Sequence, residues 1–182
     1  MRYLLLISLI LVSSCSANLG AKSGSDEFTR FVNRGASYGV ASDSQYYVVF
    51  EEETLPDETM QKLANYTSYI LSYRGMYETT IPQQADYYVM VSFKPYDSKS
   101  KEQYLQLSAA STKVYDATGE FKPRWWANSV YRGDKPKHQH MLAMHALAIR
   151  DFVGSVPNGY QVYTSYRQDN KVVLELEASF EQ

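Results

Sequence analysis

Two stretches of the chain repeat apolar residues at the three- and four-residue spacing of an amphipathic helix. The first covers 54–74, with Pro56 in its first turn and Gly75 after its end. The second covers 139–153 and stops at Gly154. Since one helical face returns about every 3.6 residues, the pattern predicts two main helices that each bury one face.

Segments of alternating, β-branched or aromatic residues predict strands around these helices. The clearest strand is 86–94 (DYYVMVSFK), and further strands are expected at 36–40, 45–51, 104–115, 121–131, 160–167 and 171–180. The last four segments form two pairs around short polar turns, which is typical of β-hairpins. Strands that follow one another in runs predict an α+β fold, with a mostly antiparallel sheet and the two main helices packed on one face.

The first fifteen residues have the order of a secretory signal peptide: Arg2, an apolar run over 3–12, and then small residues. The apolar run is shorter than the roughly 20 residues that a membrane-spanning helix needs. The segment Val12-Ser13-Ser14-Cys15 resembles the bacterial lipobox, in which the Cys is acylated and the chain is cleaved before it. The resemblance implies a lipoprotein signal peptide over 1–14 and a lipid-modified Cys15.

The residues after Cys15 predict a tether between lipid and domain. The segment 15–27 contains the lipidated Cys and a small, polar, Gly/Ser-rich run, and a single α+β domain is expected over 28–182. More than one acyl chain on Cys15 would give stable anchoring in membrane lipid. Ser16 stands where an Asp retains such lipoproteins in the inner membrane, which implies the cell outer membrane.

Composition excludes several classes of function. The 182 residues include 18 Lys+Arg and 20 Asp+Glu, and at this near-neutral charge no nucleic-acid partner is expected, because phosphate binding needs a net basic surface or a dense basic patch. The single Cys excludes an internal disulfide framework and a Cys-based zinc cage. The chain shows neither a nucleophile motif nor a Gly-rich phosphate loop, so we expect no enzymatic activity and no cofactor.

All three histidines lie within eight residues, in the run KHQHMLAMH. His138, His140 and His145 match the number of imidazoles in some zinc sites, which makes a metal-binding protein or metalloenzyme the alternative function. The competing interpretation is that two of them are solvated at a helix start and the third is buried.

Seventeen tyrosines are an unusual excess, and tyrosine is common in protein interfaces. Tyr66, Tyr69 and Tyr73 repeat on one side of the first helix, where we expect a binding surface. Trp125 and Trp126 are neighbours on a strand, so one should face the core and the other the surface. Aromatic rings also stack on sugars, which keeps peptidoglycan or glycan binding as a further alternative.

Several segments together resemble a family of Gram-negative lipoproteins known as domain-of-unknown-function family 4136. They are 85–91 (ADYYVMV), 123–126 (PRWW), 129–133 (SVYRG), 141–154 and 160–176. That family has no established catalytic residues. Because of this, no catalytic residues carry over to this chain. The resemblance implies an envelope lipoprotein that faces the periplasm. We expect it to act as an accessory, scaffold or binding protein with an envelope protein partner.

Overall fold

The computed structural model describes residues 28–37, 42–51, 55–136, 140–153 and 161–180. The predicted signal peptide (1–14) and the predicted tether (15–27), with Cys15, lie outside the described residues.

The described part of the chain contains one seven-stranded sheet with the strand order β3-β2-β4-β5-β6-β1-β7. The strands are β1 (Phe28–Ser37), β2 (Gln45–Phe50), β3 (Tyr77–Glu78), β4 (Tyr87–Asp97), β5 (Glu102–Ser111), β6 (Pro123–Arg132) and β7 (Gln161–Arg167). The helices are α1 (Asp57–Ser72), α2 (Thr112–Thr118), α3 (Met141–Arg150) and α4 (Lys171–Ala178), and a short 3₁₀ helix covers Pro82–Gln84.

The sheet is mixed, which corrects the expectation of a mostly antiparallel sheet. Strand β2 runs parallel to both of its neighbours, β3 and β4, while the remaining strand pairs are antiparallel. The cause is α1, because a helix between two strands carries the chain back to the end of the sheet where it started. The combination of a sheet with helices is confirmed.

Two segments that were predicted as strand or turn are helical, so there are four helices in the described residues rather than two. The expected hairpin of 160–167 with 171–180 is wrong, because 171–178 form α4 and β7 pairs with β1. The Asn170 side chain caps α4 by accepting hydrogen bonds from the backbone nitrogens of Val172 (3.0 Å) and Val173 (3.3 Å). That cap satisfies free donors at the helix start, which an alternating pattern alone does not predict.

Three helices contribute to the apolar core on one face of the sheet. Helix α1 begins with Asp57 and Glu58, whose charges suit the positive helix end, and Gly75 follows it with φ 73°. Helix α3 is buried along nearly its whole length, and α4 adds Val173 and Leu176. The fully buried side chains include Phe31, Leu63, Ile70, Val89, Leu107, Trp125 and Met144.

Candidate functional site

The face of the sheet opposite the core carries a groove along β4 and β5. Side chains alternate between the two faces of a strand, so Val89 and Val91 enter the core while Met90 and Ser92 face the other way. The groove has a volume of about 450 Å³. It is lined by Glu51, Met90, Ser92, Lys94, Glu102, Tyr104, Gln106, Ser108, Phe121 and Pro123. We call it the open-face groove.

The strand register sets the order of side chains along the groove. Met90 lies opposite Ser108, Ser92 opposite Gln106, and Lys94 opposite Tyr104. Residues directly opposite one another in an antiparallel pair share a face and contact each other. The floor is therefore a double row of polar and apolar groups, with the Lys94 ammonium at one end.

A chain of hydrogen bonds follows β5 along the floor. The Tyr104 hydroxyl donates to Oε1 of Gln106, and Nε2 of Gln106 donates to the Ser108 Oγ (2.9 Å). Burial raises the pKa of Tyr104, Asn128 partly opposes that shift, and Glu51 adds to it. Tyr104 thus stays neutral over the physiological pH range and keeps its proton for donation.

Aromatic rings cluster beside the first residues of β4. Tyr88 packs edge-on against Tyr47 (ring centroids 6.4 Å apart) and against Tyr115 of α2 (5.4 Å). A smaller cavity of about 110 Å³ adjoins this cluster and is lined by Val49, Tyr88, Met90, Tyr115 and Phe121. Helix α2, absent from the sequence prediction, is what brings Tyr115 over this face.

The predicted tyrosine surface on α1 is only partly exposed. Tyr66 is buried in the core, where its hydroxyl donates to Oε2 of Glu177 (2.7 Å), so it belongs to no contact surface. Tyr69 is half-buried and accepts a hydrogen bond from the Arg150 guanidinium (2.7 Å). Tyr73 is 59% exposed, and the same guanidinium lies 4.6 Å from its ring centroid. The two outer rings are therefore held by one cation.

A second depression lies beside α1, with a volume of about 460 Å³. Its lining includes Gln61, Asn65, Tyr69 and Phe180. Gln61 and Asn65 hydrogen-bond to each other (3.0 Å). The depression therefore offers two rings and a pair of amides that bond to each other, whereas the open-face groove offers a row of polar side chains along one strand.

The two tryptophans occupy opposite faces of β6, as their adjacency predicts. Trp125 is 1% exposed and lies in the core. Trp126 is half-buried on the open face, opposite Ser108 of β5 and Ala36 of β1. The exposed member of the predicted pair is thus Trp126, next to the groove.

The predicted histidine cluster is not assembled among the described residues. His138 lies outside them, His140 precedes α3, and its Nδ1 is 3.9 Å from Oε2 of Glu177. His145 is fully buried, packs edge-on against Phe31 (4.7 Å), and has its pKa lowered by burial to about 3. Within the described ranges, no group of three or more His, Cys, Asp or Glu side chains is placed to hold a metal ion.

Sequence reasoning missed the groove residues Tyr104, Gln106 and Ser108. A signal was present, since these three polar residues alternate with Leu105 and Leu107 along one strand. Such alternation indicates a strand with one buried and one accessible face. The chemistry of the accessible face only becomes visible once β4 is placed beside β5.

None of the helices in the described residues is both long and apolar enough to cross a membrane. No protein-family model matches the chain, and neither does any curated protein sequence. The resemblance to family 4136 stays a prediction.

Solved structures that are similar at a distance include two PelC dodecamers. A variant PelC dodecamer from Paraburkholderia phytofirmans matches at a TM-score of 0.45 and 13% identity, over 71% of this chain and 99% of that chain. A second PelC dodecamer from the same organism matches at a TM-score of 0.42 and 14% identity, over 68% of this chain and 94% of that chain. Likeness at this level says nothing about what this chain does.

Proposed function

We propose that this protein is an outer-membrane lipoprotein, anchored through an acylated Cys15, whose folded domain faces the periplasm. In this proposal the domain is not an enzyme. It acts as a binding protein, scaffold or accessory of the cell envelope, and its partner is another envelope protein.

The observation that carries the binding role is the open-face groove. Helices α1, α3 and α4 bury the other face of the sheet, while the groove leaves Tyr104, Gln106 and Phe121 accessible. Aromatic side chains that combine an apolar body with fixed polar partners are enriched in protein interfaces. A groove of this kind suits an extended segment of a partner protein.

The anchor is supported by the sequence before the domain. Arg2, the short apolar run and Val12-Ser13-Ser14-Cys15 are in the order that lipoprotein signals require, and the only Cys of the chain stands at the acylation position. Several acyl chains would hold the domain at the membrane, since each buried CH₂ contributes about 0.8 kcal/mol.

The test is mass spectrometry of proteins that co-purify with the membrane-anchored protein. We expect a reproducible partner that is lost in Tyr104→Ala/Gln106→Ala and also in Cys15→Ala, where the anchor is removed. Gln61→Ala, at an exposed position on α1, is the matched control and should retain the partner. Loss of the partner in the control alone would move the binding surface to α1. Equal capture by all forms would refute the binding role of the groove.

Glycan binding is the second candidate, because the groove combines two rings with an amide and hydroxyls. Tyr104 and Phe121 are suited to stacking on a sugar, and the Gln106 amide is suited to hydrogen-bonding its hydroxyls. Sedimentation with purified peptidoglycan sacculi separates the two functions. If the protein co-sediments with sacculi and Tyr104→Ala abolishes this, the groove binds a glycan rather than a protein.

A further inference from the structure

Strands β1 and β7 carry arginines and exposed rings on the open face, at the opposite end of the sheet from β4. Phe28 is 51% exposed and Tyr163 is 71% exposed. Arg30, Arg34 and Arg167 are exposed beside them, and neither strand contains an Asp or a Glu. We call these five residues the β1–β7 patch.

The register holds the patch together as one surface. Phe28 lies opposite Arg167, and the Arg167 guanidinium is 5.7 Å from the Phe28 ring centroid. Arg34 lies opposite Gln161 and donates a hydrogen bond to its Oε1 (2.8 Å). Arg167 is paired with Asp169 (2.8 Å). Within the described ranges Arg30 and Arg34 have no such acidic partner, so the patch keeps a net positive charge.

This charge is opposite to that of the whole chain. The full sequence has a formal net charge of −2, with 18 basic and 20 acidic residues. An anionic surface would therefore repel most of the protein and attract this patch. Basic side chains next to aromatic rings are the combination that binds the headgroup region of anionic membranes.

The position of the patch relative to the anchor supplies the second argument, which rests on the proposed function. Twelve residues separate Cys15 from Phe28, the first residue of β1. A flexible chain of that length spans about 19 Å on average and about 40 Å when fully extended. The start of β1 is therefore confined near the lipid. Such confinement corresponds to an effective concentration in the millimolar range, so a weak contact suffices.

We propose that the β1–β7 patch lies against an anionic phospholipid surface. Arg30 and Arg34 contact lipid phosphates, while Phe28 and Tyr163 sit at the headgroup level. Strands β6 and β5 separate the patch from β4, so at about 4.8 Å per strand β4 lies about 14 Å from β1 along the same face of the sheet. The lipid contact thus holds the open-face groove close to the membrane surface.

The test measures thiol accessibility on the acylated protein reconstituted in vesicles. Cys15 is the only Cys and is blocked by lipid, so Ser165→Cys places a single free thiol opposite Arg30. Its reaction rate with a membrane-impermeant maleimide is measured in phosphatidylethanolamine/phosphatidylglycerol vesicles and divided by the rate in detergent. We expect this ratio to fall at least five-fold below the ratio in phosphatidylcholine vesicles, and to recover in 0.5 M salt because salt screens the charges.

Arg30→Gln/Arg34→Gln in the Ser165→Cys background should abolish the protection, since each arginine near an anionic surface contributes roughly a five-fold factor. Lys62→Gln/Lys171→Gln removes the same charge from α1 and α4 and should leave the protection intact. A thiol from Glu175→Cys, at an exposed position of α4, should react equally in all vesicles. Equal ratios for Ser165→Cys in both vesicle types would overturn the lipid contact.

A mass measurement keeps the two proposals apart. If Cys15 carries no lipid, the anchor of the proposed function fails. If Cys15 is acylated and the ratios are still equal, the anchor stands and the β1–β7 patch is not a membrane contact.

Discussion

The two faces of the sheet differ in the side chains that one set of strands presents. On the covered face β4 and β5 present Val89, Val91, Leu105 and Leu107, and all four are buried against helices. On the open face the intervening residues of the same strands are mostly polar or aromatic. The free energy of unfolding therefore depends mainly on the covered face, and the contacts with other molecules proposed above lie on the open face. Substitutions on the two faces should accordingly differ in kind.

The sharpest form of this comparison uses neighbouring tryptophans. Trp125→Ala should lower the free energy of unfolding by about 3–5 kcal/mol, because it leaves a large cavity in the core. Trp126→Ala, one residue later on the open face, should cost about 1 kcal/mol or less. Urea unfolding followed by circular dichroism measures both. Equal losses would show that the open face is packed as tightly as the core.

Acid should weaken the covered face through His145. Its pKa in the folded protein is about 3, whereas an unfolded histidine titrates near 6.5, so below pH 6.5 protons bind preferentially to the unfolded chain. Stability is complete above pH 6.5 and is lost toward pH 3, at about 1.4 kcal/mol per pH unit. Urea midpoints between pH 6.5 and 4.5 measure this slope.

The matched variant for the acid effect is His145→Leu. Whatever its stability at pH 7, the dependence of its stability on pH over the same range should be nearly flat. An unchanged slope would assign the acid sensitivity to other groups.

A polar contact inside the covered face should have a smaller effect. Tyr66→Phe removes the donor to the buried carboxylate of Glu177 and should cost about 1–3 kcal/mol. In a double-mutant cycle with Glu177→Met, which removes the acceptor oxygens at similar side-chain size, the two losses should not add, because they break the same hydrogen bond. Full additivity in urea unfolding would contradict that bond.

The smallest change in stability is expected in the open-face groove. Gln106→Ala removes a half-buried amide that bonds only to Tyr104 and Ser108 among the contacts described above, and should cost about 0.5 kcal/mol. Partner capture should nevertheless fall. A loss of several kcal/mol would mean that the polar row stabilises the sheet rather than a complex.

Regular elements were predictable where one period dominates the sequence. The helix over 54–74 was confirmed as α1, and the strand over 86–94 as β4, because apolar spacing was clear in both. The segment 171–180 was mistaken for a strand since KVVLELE also alternates. The deciding fact was local capping by Asn170, together with burial of Val173 and Leu176. The spacing of apolar residues alone predicts neither the cap nor the burial.

The candidate site was less predictable than the fold. Spacing on α1 placed Tyr66 with Tyr69 and Tyr73, but α4 covers Tyr66 and its Glu177 accepts the hydroxyl. The groove required knowing that β4 and β5 are adjacent and that β2 lies parallel beside β4. Such strand pairings join residues that are far apart in sequence. Which side chains then lie next to one another on a face depends on the register, which the sequence pattern does not give.

The place of β1 in the sheet also governs when the domain can form. Val32 pairs with Val130 on one side and with Tyr163 on the other, so β1 has no neighbouring strand until much later parts of the chain are available. Closing such distant contacts is slow, because chain entropy is lost before pairing compensates for it. In the proposed lipoprotein, the acylated N-terminus would hold the unpaired β1 beside the bilayer. The sheet would then be completed last at the strand that lies nearest to the anchor.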